Sequence, residues 1–168
     1  MDWLRKIKDH LAYRRWLRTT YAPHKKYADI YKVKGEYHFV ALHQTEIGVY
    51  MEDDHAEISP VSMTTESFVS CVLTALQRSK AGSYAGFQYD KERFLKKHKA
   101  RSYTAFYTHA VSLNIAFDTL TSIAKVSLSR HIPSQGQGLS PVEGAVREFK
   151  ITTSEDWGQI KPYFDALC

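Results

Sequence analysis

Residues 101–132 read RSYTAFYTHAVSLNIAFDTLTSIAKVSLSRHI, and this stretch decides the predicted fold. Ser102 is a favourable helix N-cap, and apolar side chains then recur at three- and four-residue steps through Leu113, which predicts a helix with one buried face. Asp118 is placed to cap a second, shorter helical turn, and the alternation from Val126 onward predicts a half-buried strand. The stretch carries no catalytic constellation, so it favours a protein that works through its surface.

The region before this stretch changes from β-rich runs to helices. Alternation over residues 37–43, 47–51 and 56–59 predicts an antiparallel meander, with turns at residues 35–36 and 52–55. Thr64 or Thr65 opens a helix whose apolar stripe consists of Phe68, Val69, Val72, Leu73 and Leu76. A basic helix follows over residues 90–99, in which only Phe94 and Leu95 are expected to face inward.

The region after the central stretch predicts a loop, a strand and a final helix. Residues 133–141 have the Gly, Ser and Pro content of a surface loop, and residues 146–151 alternate like a strand. Thr153 with Asp156 resembles a helix cap, while Pro162 predicts a terminal helix that is kinked or split into two pieces. Its apolar stripe is Trp157, Ile160, Phe164 and Leu167. The predicted fold is α+β, one domain over residues 1–168, with an antiparallel sheet packed by three or four helices and the central helix against the sheet.

Length and composition are those of an ordinary globular protein. The chain has 168 residues, of which 43% are hydrophobic and 24% charged, and its formal net charge is +5. No apolar run approaches the ~20 residues needed to cross a bilayer, and the first residues lack the apolar core of a signal peptide. We therefore expect a cytoplasmic protein without a membrane partner. Two cysteines, Cys71 and Cys168, indicate no disulfide framework.

Charge is distributed unevenly along the chain. Residues 1–36 are strongly basic and are predicted to begin with an amphipathic helix, whereas residues 44–77 contain six acidic residues and no Lys or Arg. Basic residues and tyrosines alternate in the N-terminal segment, a mixture that single-stranded nucleic acid binding can use through phosphate attraction and base stacking. The residues concerned are Arg14, Arg15, Tyr21, Lys25, Lys26, Tyr27 and Tyr31. A solvated basic helix face explains the same pattern.

The candidate catalytic and metal-binding residues form no recognisable motif. His38 and His43 lie on opposite faces of a predicted strand, with no carboxylate or cysteine to complete a metal site, and are expected to be exposed. No neighbour of Cys71 in the sequence would favour its thiolate, so we expect a packed, inert thiol. Eight histidines leave a two-histidine ribonuclease open, although His109 is expected at the edge of the core. We predict no catalytic residue, no metal and no cofactor.

Three segments together resemble the immunity proteins of bacterial contact-dependent growth inhibition systems (CdiI-like proteins). They are TTESFVSCVLTALQRSK (residues 64–80), ARSYTAFYTHAVSLNIAFDTLTSIAKVSLSR (100–130) and EFKITTSEDWGQIKPYFDALC (148–168). The features that carry the resemblance are Ala75, Leu76, Ser79 and Lys80, the unit from Tyr103 to Lys125, and the ending Ala166, Leu167 and Cys168. The resemblance spans residues 37–168.

The resemblance implies a protein that is not an enzyme. It would bind the cognate toxin domain, expected to be a nuclease, and cover its active site. The predicted contact surface is the acidic turn Glu52, Asp53, Asp54 and Glu57, which has a second explanation as a solvated hairpin tip. Two other classes remain open: a nucleic-acid-binding module that uses the N-terminal segment, and a small histidine-based ribonuclease.

Overall fold

The computed structural model describes residues 23–45, 49–80, 90–132 and 138–167. The strands of this part are β1 (Lys25–Val33), β2 (Glu36–Gln44), β3 (Tyr50–Pro60), β4 (Ala110–Asp118), β5 (Ile123–His131) and β6 (Leu139–Lys150). The helices are α1 (Thr65–Arg78), α2 (Lys91–Lys97), α3 (Tyr103–Tyr107), a 3-10 helix (Glu155–Gln159) and α4 (Ile160–Ala166). This composition confirms the predicted α+β class.

The strands form one antiparallel sheet in the order β3-β2-β1-β4-β5-β6. Two meanders, β1–β3 and β4–β6, each pair strands that follow one another in sequence. The pairing of β1 with β4 joins the meanders, and it places Asp29 opposite Asn114. The turn between β1 and β2 consists of Lys34 and Gly35, whose φ angles of 51° and 81° suit a two-residue hairpin.

One face of the sheet is covered by α1 and the C-terminal helices. The side chain of Thr64 accepts the backbone N–H of Ser67 at 3.2 Å, which caps α1 as predicted. The buried stripe of α1 then packs on the even-numbered side chains of β1 and on β2, and the final helices complete the same core. Its fully or almost fully buried members include Ile30, Phe39, Phe68, Val72, Trp157, Ile160 and Phe164.

The described residues cover the opposite face only in part. Helices α2 and α3 pack Phe94 and Phe106 against Tyr31, Val33 and Val40. Beyond these helices, β1, β4 and β5 present polar side chains to a cleft of about 470 Å³. We call this part the uncovered half of the sheet, because none of the described helices packs on it.

The central stretch contains less helix than the sequence predicted. Helix α3 ends at Tyr107, and the chain is already a strand from Ala110, so the long predicted helix is wrong. Leu113 fits both a helical and an alternating pattern, but β4 hydrogen-bonds to β1 on one side and β5 on the other. Asp118 does accept the backbone N–H groups of Leu120 and Thr121, at 2.9 and 3.2 Å, although in a turn between strands. The hydrogen bonding of β4 to a strand on each side outweighed the helical spacing of its apolar residues.

The predicted ends of the chain are also corrected in part. Residues 25–33 of the expected basic helical segment (residues 1–36) form β1, while the helix expected before Pro23 lies outside the described residues. Residues 139–141 of the expected loop belong to β6. The final helix is split into a 3-10 helix and α4, as Pro162 predicted, and Asp156 Oδ2 accepts the Thr153 N–H at 2.8 Å. Leu167 is 42% exposed and does not belong to the core.

Candidate functional site

The four acids predicted to form a toxin-binding turn lie along β3. The turn expected at residues 52–55 is wrong, because the strand pairs with β2 on both sides of a bulge. Alternation sends Glu52 and Asp54 towards α2, and it sends Asp53 and Glu57 towards α1. The toxin-binding role of the four residues stays a prediction.

Glu52 is the centre of a buried polar network. Its Oε2 lies 2.5 Å from Lys97 Nζ and 3.2 Å from His98 Nε2, and its Oε1 accepts the hydroxyl of Tyr31. Burial alone would raise the pKa of this carboxyl group, but the hydrogen bond from His98 and the charge of Lys97 lower it to about 2. Glu52 is therefore ionised and ties β3 to α2. The expectation that α2 presents only Phe94 and Leu95 inward is wrong, since the Lys97 side chain is 7% exposed.

The other three acids differ in how freely they can meet a partner. Asp53 Oδ2 accepts the Nε–H of Arg78 at 2.7 Å, and Asp53 is buried. Asp54 pairs with Arg93, but both side chains remain about half exposed. Glu57 Oε1 accepts the thiol of Cys71 at 3.2 Å. Asp54 is thus the acid of this group that a partner reaches most easily.

The structure agrees with an inert Cys71 thiol. Burial, followed by the hydrogen bond to Glu57 and the charge of that carboxylate, raises the pKa of Cys71 to about 11. The thiol is therefore protonated at neutral pH and is a poor nucleophile.

Two large apolar side chains precede the acids of β3. Val49 is 50% exposed and Tyr50 is 42% exposed. The ring of Tyr50 packs on that of Tyr27, with centroids 4.5 Å apart. Tyr50 and Asp54 line one shallow pocket, and Val49 is the exposed neighbour of Tyr50 in sequence. We call these three residues the β3 patch; it combines an aromatic anchor, an aliphatic residue and a negative charge.

Asp29 forms the floor of the cleft on the uncovered half of the sheet. One of its oxygens accepts the side-chain amide of Asn114, whose own oxygen accepts the hydroxyl of Ser129 at 3.1 Å. Burial raises the pKa of Asp29 to about 7, and the nearby charge of Glu52 adds to this effect against the hydrogen bond from Asn114. Sequence analysis missed Asp29, which is the single acid among residues 25–33.

The two candidate histidines of β2 are buried, so the prediction that they are exposed is wrong. His43 Nδ1 accepts the backbone N–H of Lys80 at 3.1 Å. His38 stacks on His98, and their Nδ1 atoms are 3.1 Å apart. The four-residue spacing from Phe94 to His98 on α2 is the signal that could have placed His98 in the core. His109, expected at the core edge, lies exposed after α3.

The N-terminal residues proposed for nucleic-acid binding are only partly described. Lys26 Nζ donates to the backbone oxygen of Ser79 at 2.8 Å, and the N–H of Tyr27 donates to the Ser79 hydroxyl at 2.9 Å. These contacts fix the start of β1 against the end of α1. Arg14, Arg15 and Tyr21 lie outside the described residues.

The described ranges contain neither a cluster of metal-ligating side chains nor a membrane-spanning helix. No three His, Cys, Asp or Glu side chains in these ranges lie close enough together to hold a metal ion. Helix α1 is the longest described helix, with 14 residues, and none of the described helices has the length and apolar character to cross a membrane.

This chain is similar to known proteins in structure but not detectably in sequence. Neither a family model nor a curated protein sequence matches the chain. A solved structure titled protein of unknown function NMB0488, from Neisseria meningitidis, has a TM-score of 0.65 at 15% identity and matches over 87% of this chain and 96% of its own. A chain of the CdiA-CT/CdiI toxin and immunity complex from Yersinia pseudotuberculosis has a TM-score of 0.64 at 12% identity, over 86% of this chain and 97% of its own. At these identities the likeness establishes a shared fold.

Proposed function

We propose that this chain is an immunity protein that binds and neutralises the toxin domain of a contact-dependent growth inhibition effector. The observation that carries the proposal is the likeness, over almost the full length of both chains, to a chain of a CdiA-CT/CdiI toxin and immunity complex. The three sequence segments that resemble immunity proteins add to this support, and two of them form α1 and the β4–β5 hairpin of this fold. The protein would act in the bacterial cytoplasm as a stoichiometric inhibitor.

The internal pairing of polar groups favours the immunity role over the toxin role. Glu52 is bound by Lys97 and His98, Asp53 is bound by Arg78, and the Cys71 thiol is protonated. These groups stabilise the fold and are not free to carry out chemistry on a substrate. A rigid exterior with a few accessible anchors suits a protein that covers the active site of another protein.

The β3 patch is our proposed centre of the toxin contact. Aromatic residues are enriched in interface cores whereas Asp and Glu are depleted there, so Tyr50 and Val49 would supply the desolvated contact and Asp54 the charged rim. Lys97 and Arg78 neutralise Glu52 and Asp53, so the negative charge of the contact would come from Asp54 and Glu57. This arrangement fits a toxin domain with a basic active-site surface.

Copurification and protection test the proposal. An immunity gene is expected to lie immediately downstream of its effector gene, and the toxin domain of that effector is coexpressed with this chain, with a toxin domain from an unrelated system as the control. We expect a stable one-to-one complex and rescue of growth with the adjacent toxin only. Failure to bind or protect against the adjacent toxin would contradict the immunity role.

Reversal of the exposed charge in the β3 patch should slow association. Asp54→Lys is expected to reduce the association rate with the toxin domain by about tenfold at low salt, because charges at an interface rim act mainly on the encounter. Its melting temperature should stay close to that of the wild type, since exposed ion pairs contribute little to stability. Stopped-flow association and thermal unfolding measure the two effects.

The neighbouring acid provides the matched control for this experiment. Asp53→Lys places a cation beside the Arg78 guanidinium in a buried position and should lower the melting temperature. An unchanged association rate for Asp54→Lys would remove the β3 patch as the charged part of the interface.

The contact between His38 and His98 keeps a ribonuclease as the second candidate. A pair of imidazoles close to Arg101 is the minimum that acid–base cleavage of RNA needs. The two Nδ1 atoms face each other, however, and both rings are 2% exposed, so neither side can hold a phosphodiester between the imidazoles. Incubation of the isolated chain with RNA tests this candidate: cleavage that is lost in His38→Gln and His98→Gln would support it.

A further inference from the structure

A second cleft, of about 470 Å³, lies between the β1–β2 turn and the connection from α2 to α3. Its walls carry three cations and one acid, together with an apolar surface that includes Val33, Ala100 and Phe106. It is separate from the β3 patch and from the cleft above Asp29. A volume of this size is within the range of small-molecule sites.

The cations of this cleft have no anionic partner among the described residues. Lys34, Lys99 and Arg101 are exposed, and none of them forms an ion pair with a described side chain. Glu36 is the acid of the cleft, and its side chain is half exposed. The lining therefore carries an excess of about two positive charges, which matches the charge of a phosphate group near neutral pH.

A buried imidazole is part of the same lining. His38 is 2% exposed, and its Nε2 has no hydrogen-bond partner among the described residues. The carboxylate of Glu36 is 3.8 Å from this nitrogen, too far for a hydrogen bond. A polar atom that is buried in this way and left unpartnered costs free energy, which a ligand can recover by bonding to it.

The histidine pair determines what His38 offers to a ligand. When His98 is neutral and donates its Nε2–H to Glu52, its Nδ1 must accept a hydrogen bond from the Nδ1–H of His38. The Nε2 of neutral His38 then carries a lone pair, and it becomes a donor when His38 is protonated. Burial, together with the positive charges of Lys99 and of His98 when that ring is protonated, lowers the pKa of His38 to about 4. An anion in the cleft acts in the opposite direction and favours protonation of His38.

We propose that this cleft binds the phosphate group of a small molecule, and that the phosphate displaces the Glu36 carboxylate from its position beside His38. Lys34, Lys99 and Arg101 would bind the phosphate oxygens, and the apolar wall would receive the remainder of the molecule. Arg and Lys bound to phosphate form charge-assisted hydrogen bonds, which are stronger than neutral ones.

Titration of the isolated full-length chain with inorganic phosphate and with adenosine monophosphate tests this site. NMR of the histidine side chains follows His38 Nε2, and calorimetry gives the affinity. We expect saturable binding of both probes, a shift of the His38 resonance, and tighter binding of the nucleotide because of its additional apolar contact.

Charge variants give effects of opposite sign. Lys99→Gln combined with Arg101→Gln should weaken phosphate binding by about tenfold or more, because two charge-assisted contacts are lost. Glu36→Gln should strengthen it several-fold, since the competing carboxylate is removed. Lys96→Gln is the matched control, because Lys96 is an exposed cation of α2 outside the cleft lining, and it should bind phosphate like the wild type.

The proposal is overturned if phosphate causes no saturable shift of His38, or if Lys96→Gln weakens binding as much as the variants of the cleft. Saturable binding of an RNA oligonucleotide with no binding of the two small probes would also overturn it and would assign the cleft to nucleic acid. None of these measurements uses the toxin domain, so their outcome is independent of the immunity role.

Discussion

Glu52→Ala is expected to lower the free energy of unfolding by about 3–5 kcal/mol, the range for removing one partner of a buried ion pair. The variant leaves Lys97 Nζ with the backbone oxygen of Asp53, at 2.8 Å, but without an anionic partner. The hydroxyl of Tyr31 and the imidazole of His98 lose an acceptor at the same time. Urea unfolding, followed by tryptophan fluorescence and circular dichroism, measures the loss.

Two further variants separate the buried network from a general effect of charge in β3. Asp54→Ala removes an acid of the same strand whose partner Arg93 is also exposed, and it should change stability by less than about 1 kcal/mol. Glu52→Leu combined with Lys97→Met should recover much of the loss, because an apolar pair can replace a buried ion pair at little cost. A loss below about 1 kcal/mol for Glu52→Ala would contradict the role of Glu52 as the anchor between β3 and α2.

Asp29→Asn is expected to make the protein more stable than the wild type at pH 8. In the folded state the pKa of Asp29 is raised to about 7, whereas it is about 3.8 in the unfolded chain. The native state therefore binds more protons than the unfolded state between these values, and the wild type loses stability as the pH rises through this window. A shift of this size corresponds to roughly 4 kcal/mol, which the neutral amide avoids.

The pH profile of this variant distinguishes titration from a simple packing effect. The difference in unfolding free energy between Asp29→Asn and the wild type should increase from pH 4 to about pH 7 and then level off, as measured by urea unfolding at each pH. His38, whose pKa is lowered to about 4, acts in the opposite direction but is present in both proteins. A difference that is constant with pH would show that Asp29 is not the group that titrates.

Asp118→Asn is the control of opposite sign. Its slight burial is outweighed by the backbone N–H groups of Thr121 and Leu120, which lower the pKa of Asp118. The wild type should therefore lose this contribution as the pH falls, so Asp118→Asn should be less stable than the wild type at neutral pH and the two curves should converge at the acid end.

Local sequence patterns predicted α1 and the C-terminal helices better than the central strand β4. The cap at Thr64, the stripe of α1 and the break near Pro162 depend on residues close in sequence, and the structure confirms them. β4 could not be recognised in the same way, because what stabilises it is hydrogen bonding to β1, which is distant in sequence. Residues such as Leu113 satisfy the helical and the alternating period equally, so the tertiary partner decides.

The polar network was hidden from sequence analysis for a related reason. The acids of β3 indicated a turn, since Glu, Asp and His in succession are typical of exposed segments. Burial of Glu52 requires a cation and a histidine from α2, 45 and 46 residues away. The packing of α2 on β3 brings Lys97 to Glu52 and Arg93 to Asp54. Only this tertiary contact shows that the most acidic segment is largely neutralised within the molecule.

The junction of the two meanders has a consequence for the speed of folding. Each meander pairs strands that are neighbours in sequence, whereas Asn114 meets Asp29 across 85 residues. Closure of so long a loop loses chain entropy before any contact across it is gained. The hairpins are therefore expected to form early and the β1–β4 seam late, which leaves two unpaired strand edges exposed on the nascent chain until the last step joins them.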